Sequence, residues 1–314
     1  MKSNQSLSPV EVLGQVAQAL PESARQHVII IGSLAAGYHF YGNDGARAVR
    51  TKDVDCMFSP HAKAVAVAQA VTEQLFQANW QPRQDGAWNT PGTAEQPEDQ
   101  LPMVRLRPPP ELAKDEWFIE LLGAPMTPAD QAQTKTLERV ETSRGHFALC
   151  SFQFLALTEW QPLPTATGLR IARPEMMALA NLLHHQAIGR ETMSGEFFGA
   201  NIKRSNKDLG RVLALAYLQG LRDSRNSSLE MDAWAGNMAS ALREKFPSQA
   251  PELAARAGNG LRDLLASPED LDQALRTCNL GLLAGADVGR EEILATGRRV
   301  LADVIEPLAE AFEP

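Results

Sequence analysis

Apolar residues first recur at helical spacing at Val10, Leu13, Val16 and Leu20. The preceding "SPVE" sets Ser8 at the N-cap, Pro9 at the first helical position and Glu11 where a capping box needs it. "HVIII", residues 27 to 31, is a run rich in β-branched side chains and predicts a buried strand. It passes into "GSLAAGYHF", where Gly32 and Ser33 mark a tight turn and a helix start. After the Gly/Asn/Asp-rich loop "YGNDGARAVRTK", the stretch "DVDCMF" predicts a second strand. "SPHAKAVAVAQAVTEQLFQAN" then predicts a helix, with Ser59 as N-cap and Pro60 at its first position. Residues 81 to 100 are rich in Pro, Gly, Asn, Asp and Gln and read as a surface loop. "MVRLR" and "EWFIELL" predict an antiparallel hairpin joined by "PPPELAKD", and "HFALCSF" and "LRIA" are further strands.

From Pro174 onward the period changes to that of helices. "RPEMMALANLLHHQAIG" is apolar at 176, 179, 180, 183 and 187 and ends at Gly189. "SNKDLGRVLALAYLQG" predicts another helix, capped by Ser205 and closed by Gly220. Segments near 229–246, 251–265, 268–277 and 288–312 carry the same period. The expected architecture is α/β of the α+β kind: a mixed sheet with flanking helices over 1–168, then an all-helical domain over 169–314.

Composition narrows the function classes without choosing among them. At 314 residues, 44% apolar and 22% charged, the chain can bury one large core or two ordinary ones. No apolar run is long enough to span a bilayer, and "MKSNQSLSPVEVLGQ" lacks the basic-then-apolar pattern of a signal peptide. Cys56, Cys150 and Cys278 lie far apart with no metal-type spacing, which suits reduced, buried thiols in a cytoplasmic protein. A net charge of −8 argues against a protein that coats nucleic acid through bulk electrostatics.

The chemistry concentrates in the first half. Residues i and i+2 of a strand share a face, so Asp53 and Asp55 present two carboxylates side by side while Val54 turns into the core. Such a pair repels unless a divalent cation sits between its members, and hard oxygen ligands suit Mg²⁺ (or Mn²⁺) that takes further ligands from substrate phosphates. Glu120, inside "WFIELLG", is a third carboxylate that could complete a two-metal clamp or act as base. Gly32 lets a phosphate approach the backbone, and the helix start with the Ser33 hydroxyl forms an anion site.

Taken together, "IIIGSLAAGYHF…RTKDVDCMF…FIELL" resembles the nucleotidyltransferase-fold superfamily. With "RPEMMALANLLHHQAIGR…NKDLGRVLALAYL" added, it looks most like the bacterial AbiEii-like and related nucleotidyltransferase proteins of toxin–antitoxin type. The likeness covers roughly residues 27 to 220, about the span of one α/β unit with a helical start. It implies metal binding by Asp53, Asp55 and Glu120 and phosphate contact by Gly32 and Ser33. It also implies a nucleoside triphosphate as substrate and an RNA, protein or small-molecule acceptor. Where family members often carry a lysine late in the proline-introduced helix, this chain has Ala180 and Asn181. The alternative is a degenerate member that binds a nucleotide or a partner without transfer.

Lys207 and Arg211 share one helix face beside Lys203 and Arg204. That face is either a solvated surface with Asp208 as partner, or one that meets a triphosphate or a nucleic-acid acceptor. Arg50 and Lys52, just before the acidic pair, are open to the same two readings. His184 and His185 point in different directions on a helix, so they do not easily serve one site. "PPP" at 108–110 reads as a stiff connection, and Trp80, Trp88 and Trp117 as core or loop anchors.

Overall fold

The structure, a computed structural model, describes residues 7–42, 48–83, 90–112, 116–125, 135–188 and 202–313, with the backbone alone at 186–188. The chain divides into two compact units, Met1–Ala172 and Arg173–Pro314. The first is a mixed sheet with helices and the second is helical, so the chain is α+β. Among the described residues no helix is long and apolar enough to cross a membrane.

The first unit opens with helix α1 (Pro9–Ala19), whose Glu11 N–H donates to the Ser8 hydroxyl at 3.5 Å. A single turn, α2 (Glu22–Arg25), leads into β1 (Val28–Ile31), which is buried along its whole length. Helix α3 (Gly32–Tyr41) follows β1 directly, with Gly32 at a φ of 74° making the turn. Strand β2 (Asp53–Phe58) runs antiparallel to β1, and helix α4 (His61–Gln77) follows it. The remaining strands are β3 (Gln81–Pro82), β4 (Arg105–Arg107), β5 (Phe118–Gly123), β6 (Lys135–Thr142), β7 (Gly145–Phe152), β8 (Leu163–Pro164) and β9 (Arg170–Ile171). Their order is β3-β4-β5-β2-β1-β9-β8, with β7 also pairing β5 and β6 pairing β7.

Alternation along β2 explains how the sheet is seated. Val54, Cys56 and Phe58 are fully buried on one face. Gly123 stands beside Phe58 on that face, and Ala64 of α4 closes over it. Asp53, Asp55 and Met57 point to the other face. There a 3₁₀ segment (Gln153–Glu159) covers Met57, with Thr158 Oγ1 donating to its sulfur at 3.3 Å. The aspartates lie further along the strand and stay half-buried.

Several local expectations need correcting. Ser59 does not cap α4: the Ser59–Pro60 peptide is cis, Pro60 occupies the cap position, and the Ser59 hydroxyl donates to Glu159 Oε1 at 2.6 Å. The loop expected over 81–100 contributes β3 and a 3₁₀ turn at Glu98–Gln100, while Trp88 lies outside the described residues. Strand β6 has no counterpart in the hydrophobic pattern, because Val140 is its one buried residue. Its eight residues are held by pairing with β7 across a turn at Gly145. Trp80 and Trp117 are core residues that meet edge to face at 5.6 Å.

The second unit comprises α5 (Pro174–Ile188), α6 (Arg204–Asn226), α7 (Trp234–Lys245), α8 (Ala250–Arg256), α9 (Asn259–Ala266), α10 (Pro268–Leu280), α11 (Arg290–Val300) and α12 (Glu306–Glu310). Helix α6 starts at Arg204 with Lys203 in the cap position, not Ser205, and runs through Gly220 to Asn226. It ends where Ser227 turns left-handed at a φ of 51°. The single helix expected over 251–265 is two, α8 and α9, and a π turn at Leu301–Ile305 separates α11 from α12.

Candidate active site

The carboxylate face is built by strand register. Asp53 stands beside Phe118 and Asp55 beside Glu120 in the parallel β2–β5 pair, while Ile31 stands opposite Asp55 in the antiparallel β1–β2 pair. Neighbouring strands lie about 4.8 Å apart, so Asp55 and Glu120 are lateral neighbours on one face. Gly32 follows Ile31 at once. A β-carbon built there would stand 2.6 Å from Asp55 Oδ2, so the acidic strand and the glycine turn meet in van der Waals contact. Only glycine combines that close approach with the positive φ.

Each acid has its own support. Thr51 Oγ1 donates to Asp53 Oδ1 and accepts from the Asp53 N–H at 3.5 Å, orienting that carboxylate from just outside the strand. The N–H of Phe118 donates to the Lys52 carbonyl at 2.9 Å, tying the start of β5 to the approach to β2. Arg105 on β4 stands opposite Glu120. Its Nε donates to Glu120 Oε2 and its Nη2 to Glu120 Oε1, both at 3.1 Å. The Glu120 side chain is 13% exposed and that of Arg105 35%.

Two buried thiols register the charge of this face from beneath. Burial, reinforced by the Asp55 charge, pushes the Cys56 thiol far above its ordinary range. Burial also pushes Cys150 up to about 12, with Lys135 and Arg105 opposing and Glu120 adding to the rise. Neither sulfur is poised as a nucleophile or soft metal ligand.

Gly32, Ser33, Asp53, Asp55 and Glu120 thus belong to one end of one sheet unit. Ser33 is half-buried in the first turn of α3, and Lys52 is exposed just before β2. Lys207 and Arg211 are half-buried on α6, in the helical unit. Within that unit Asp208 is buried and engages His184 Nδ1 at 3.2 Å, and Lys203 pairs with Asp270 at 2.6 Å. His185 is buried separately, with Nδ1 donating to the Leu182 carbonyl at 2.6 Å and its ring over Gly260. The two histidines therefore do different things, as their neighbouring positions on a helix require.

Residue typing missed Arg105 and Thr51. Arg105 was within reach, because the hairpin of "MVRLR" with "EWFIELL" and strand alternation leave it only a few possible partners. Thr51 carried no signal beyond proximity, since a threonine two residues before an aspartate is common in loops.

The donor set can be tested against a hard divalent ion. Asp53 and Asp55 fit one: both are carboxylates on one strand face, half-buried and next to a glycine turn. Glu120 does not fit in this arrangement, because Arg105 engages both its oxygens. Among the described residues no group of three or more His, Cys, Asp and Glu side chains is disposed to hold a metal ion. Comparison with protein-family models, with curated proteins and with solved structures finds no match.

Proposed function

We propose that the first unit is a Mg²⁺-dependent nucleotidyltransferase domain, which moves a nucleoside monophosphate from a nucleoside triphosphate to an acceptor. The observation that carries this reading is the contact between Gly32 and Asp55, with Glu120 alongside. It joins a turn suited to phosphate to carboxylates suited to a hard cation. Asp53 and Asp55 are the residues that hold Mg²⁺ or Mn²⁺, with Thr51 fixing the orientation of Asp53. When bound, the ion supplies neutralisation of the triphosphate charge.

The chain's own groups do the rest. Gly32, Ser33 and the first N–H groups of the ten-residue α3 receive phosphate oxygens. The exposed Lys52 adds a cation on the approach to β2. The acceptor oxygen attacks the α-phosphorus, a new P–O bond forms, the bond to the β-phosphate oxygen breaks and pyrophosphate leaves. Glu120, once released from Arg105, takes the acceptor proton. An RNA or protein acceptor follows the likeness to AbiEii-like proteins, with a small molecule as the other option. The three unpaired, buried cysteines are compatible with a cytoplasmic setting.

A second reading, a nucleotide-binding module without transfer, is favoured by the Arg105–Glu120 pair, which occupies the residue that would act as base. Titration calorimetry with Mg²⁺ and each nucleoside triphosphate, repeated on the Asp53→Ala/Asp55→Ala double variant, tests the site. Metal-dependent binding lost in the variant is expected, and absence of any such binding in wild type overturns both readings. Pyrophosphate release with pooled RNA, protein and small-molecule acceptors then separates transfer from binding alone.

A further inference from the structure

Helix α1 carries a face that its own unit leaves uncovered. Val10, Leu13, Val16 and Leu20 share the helical period, yet Val10 is 39% exposed while the other three are buried. Among the described residues three large apolar side chains are exposed, and two of them, Val10 and Leu112, line one cavity of about 470 Å³. One wall is the face of α1 that carries Glu11, Gly14, Gln15 and Gln18, spaced as successive turns of one helix. The other wall holds Glu111, Leu112 and Trp117, the last 3% exposed and braced edge to face by Trp80. The volume lies in the range of sites that take small molecules, roughly 300–1,000 Å³. Gly14 keeps the α1 wall low. A β-carbon built there meets nothing within 4 Å, so no neighbour in the fold asks for a glycine, which is a poor residue for a helix interior. Among the described residues no ion pair or side-chain hydrogen bond engages Glu11, Glu111, Gln15 or Gln18.

We propose that this cavity binds a small organic cation, an amine carried on an apolar body. Val10, Leu112 and Trp117 receive the apolar body, and Glu11 and Glu111, one on each wall, set the sign of the charge. No Lys, Arg or His is among the described residues that line it, and two full negative charges exceed the partial positive charge of the helix start. An indole in the lining also favours a cation over a neutral molecule of the same shape. The volume suits a metabolite-sized molecule, and two carboxylates match one or two positive charges rather than a long basic segment. A nucleotide carries the wrong charge for this cavity, so the inference goes beyond the nucleotidyltransferase reading and does not depend on it. A surface groove with no such role takes amine and alcohol alike and is indifferent to the side chain at position 14.

The test titrates phenylbutylamine, with phenylbutanol and phenylbutyrate as its neutral and anionic counterparts, into the full chain by calorimetry and ligand-observed NMR. Wild type is compared with Gly14→Leu and with the Glu11→Gln/Glu111→Gln double variant. The amine is expected to bind wild type about tenfold more tightly than the alcohol, and the carboxylate more weakly than either. The double variant is expected to bind the amine about tenfold more weakly and the alcohol as before, since two solvent-screened charges worth a few-fold each are lost. Gly14→Leu is expected to abolish amine binding while melting no lower than wild type, because its side chain enters open space and suits the helix better. Absence of amine binding in wild type, or equal binding of amine and alcohol, overturns the proposal. Undiminished amine binding by Gly14→Leu places the amine elsewhere and overturns the cavity. A capped Leu-Lys-Leu peptide that binds more tightly than the amine overturns the small molecule in favour of a protein segment. A dimer in sedimentation that Gly14→Leu dissolves overturns it in favour of a second copy of the chain. Should Gly14→Leu melt lower, the double variant, whose changes are isosteric and exposed, carries the test. No outcome involves metal or nucleotide, so failure here leaves the Asp53 and Asp55 reading untouched.

Discussion

Carboxylates are used differently in the two units. In the helical unit Glu175, Asp208 and Asp223 are buried, and each serves the fold. Glu175 meets Arg173 and Asn237, while Asp208 meets His184. Asp223 accepts from Gln219, Ser228 and the N–H groups of Glu230 and Met231. In the sheet unit the fully buried polar residues among those described are the hydroxyl residues Thr72, Ser151 and Thr158. Its acids of interest stay half-buried at one end of a strand face. The deepest acids complete helix ends and helix contacts. The acids of the proposed site are brought together by strand register.

The largest stability effect expected from a single carboxylate is thus in the helical unit. Asp223→Ala leaves two backbone N–H groups at the turn after α6 without their acceptor, for a loss of about 3 kcal/mol. Thermal or urea unfolding measures this, and a change below about 1 kcal/mol would show that the turn does not depend on the carboxylate. Acid probes the same unit without mutation. Burial would raise the Asp223 pKa, but the Met231, Gln219, Ser228 and Glu230 hydrogen bonds hold it below the usual range. Asp270 is likewise lowered: burial opposes, and Lys203, Asn206 and Ser267 win. Both contribute stability that is present above about pH 3.9 and lost as pH falls through their lower folded values. His185 is also lowered, by burial, against the Leu182 carbonyl, Asp208 and Asp263 and with a small addition from the Arg256 charge. Its neutral form is favoured in the fold, so stability declines as pH falls below about 6.5 toward its lowered value. Melting curves from pH 7 to 3 should show a shallow loss followed by a steep one.

Two glycines extend the comparison at smaller cost. A β-carbon at Gly210 would stand 2.8 Å from the Ala274 carbonyl and 2.9 Å from Thr277 Cβ, where α6 and α10 touch through rigid atoms. Gly210→Ala is expected to lose about 1–3 kcal/mol by overpacking, read from unfolding curves, with no effect on nucleotide binding to the sheet unit. Gly32→Ala adds the left-handed strain of about 1–2 kcal/mol and crowds Asp55. Its signature is loss of metal or nucleotide binding in protein that still folds. Equal binding by Gly32→Ala would detach the glycine turn from the site.

Much of this arrangement was legible in the sequence, and for identifiable reasons. Strand β2 runs from Asp53 to Phe58, where the apolar-acidic pattern put it. The hairpin of β4 with β5 and the turn at Gly32 were legible from alternation and from glycine chemistry. Strand β6 was not, since a strand with one buried residue is held by backbone pairing and carries no hydrophobic period. Gly220 misled because it sits inside α6, where a β-carbon would come no closer than 3.4 Å to Arg299; the chain turns seven residues later at Ser227. Asp208 of α6 also meets His184 of α5, a partner outside its own helix. Partners across elements are set by packing, which spacing within one helix does not report. The Arg105–Glu120 pair lies between these cases, being implied by the hairpin but fixed only by its register.

The smallest expected stability change belongs to the residue with the largest expected functional role. Asp55→Asn keeps the shape of the side chain against Gly32 and removes one of two neighbouring negative charges on β2. Relief of repulsion and loss of charge-assisted contacts oppose each other, so unfolding stability should stay within about 1 kcal/mol of wild type. Metal-dependent nucleotide binding should vanish, because an amide is a poor substitute for a hard anionic ligand. A variant that unfolds easily would return Asp55 to the class of Asp223, an acid kept for the fold, and would leave the two units alike.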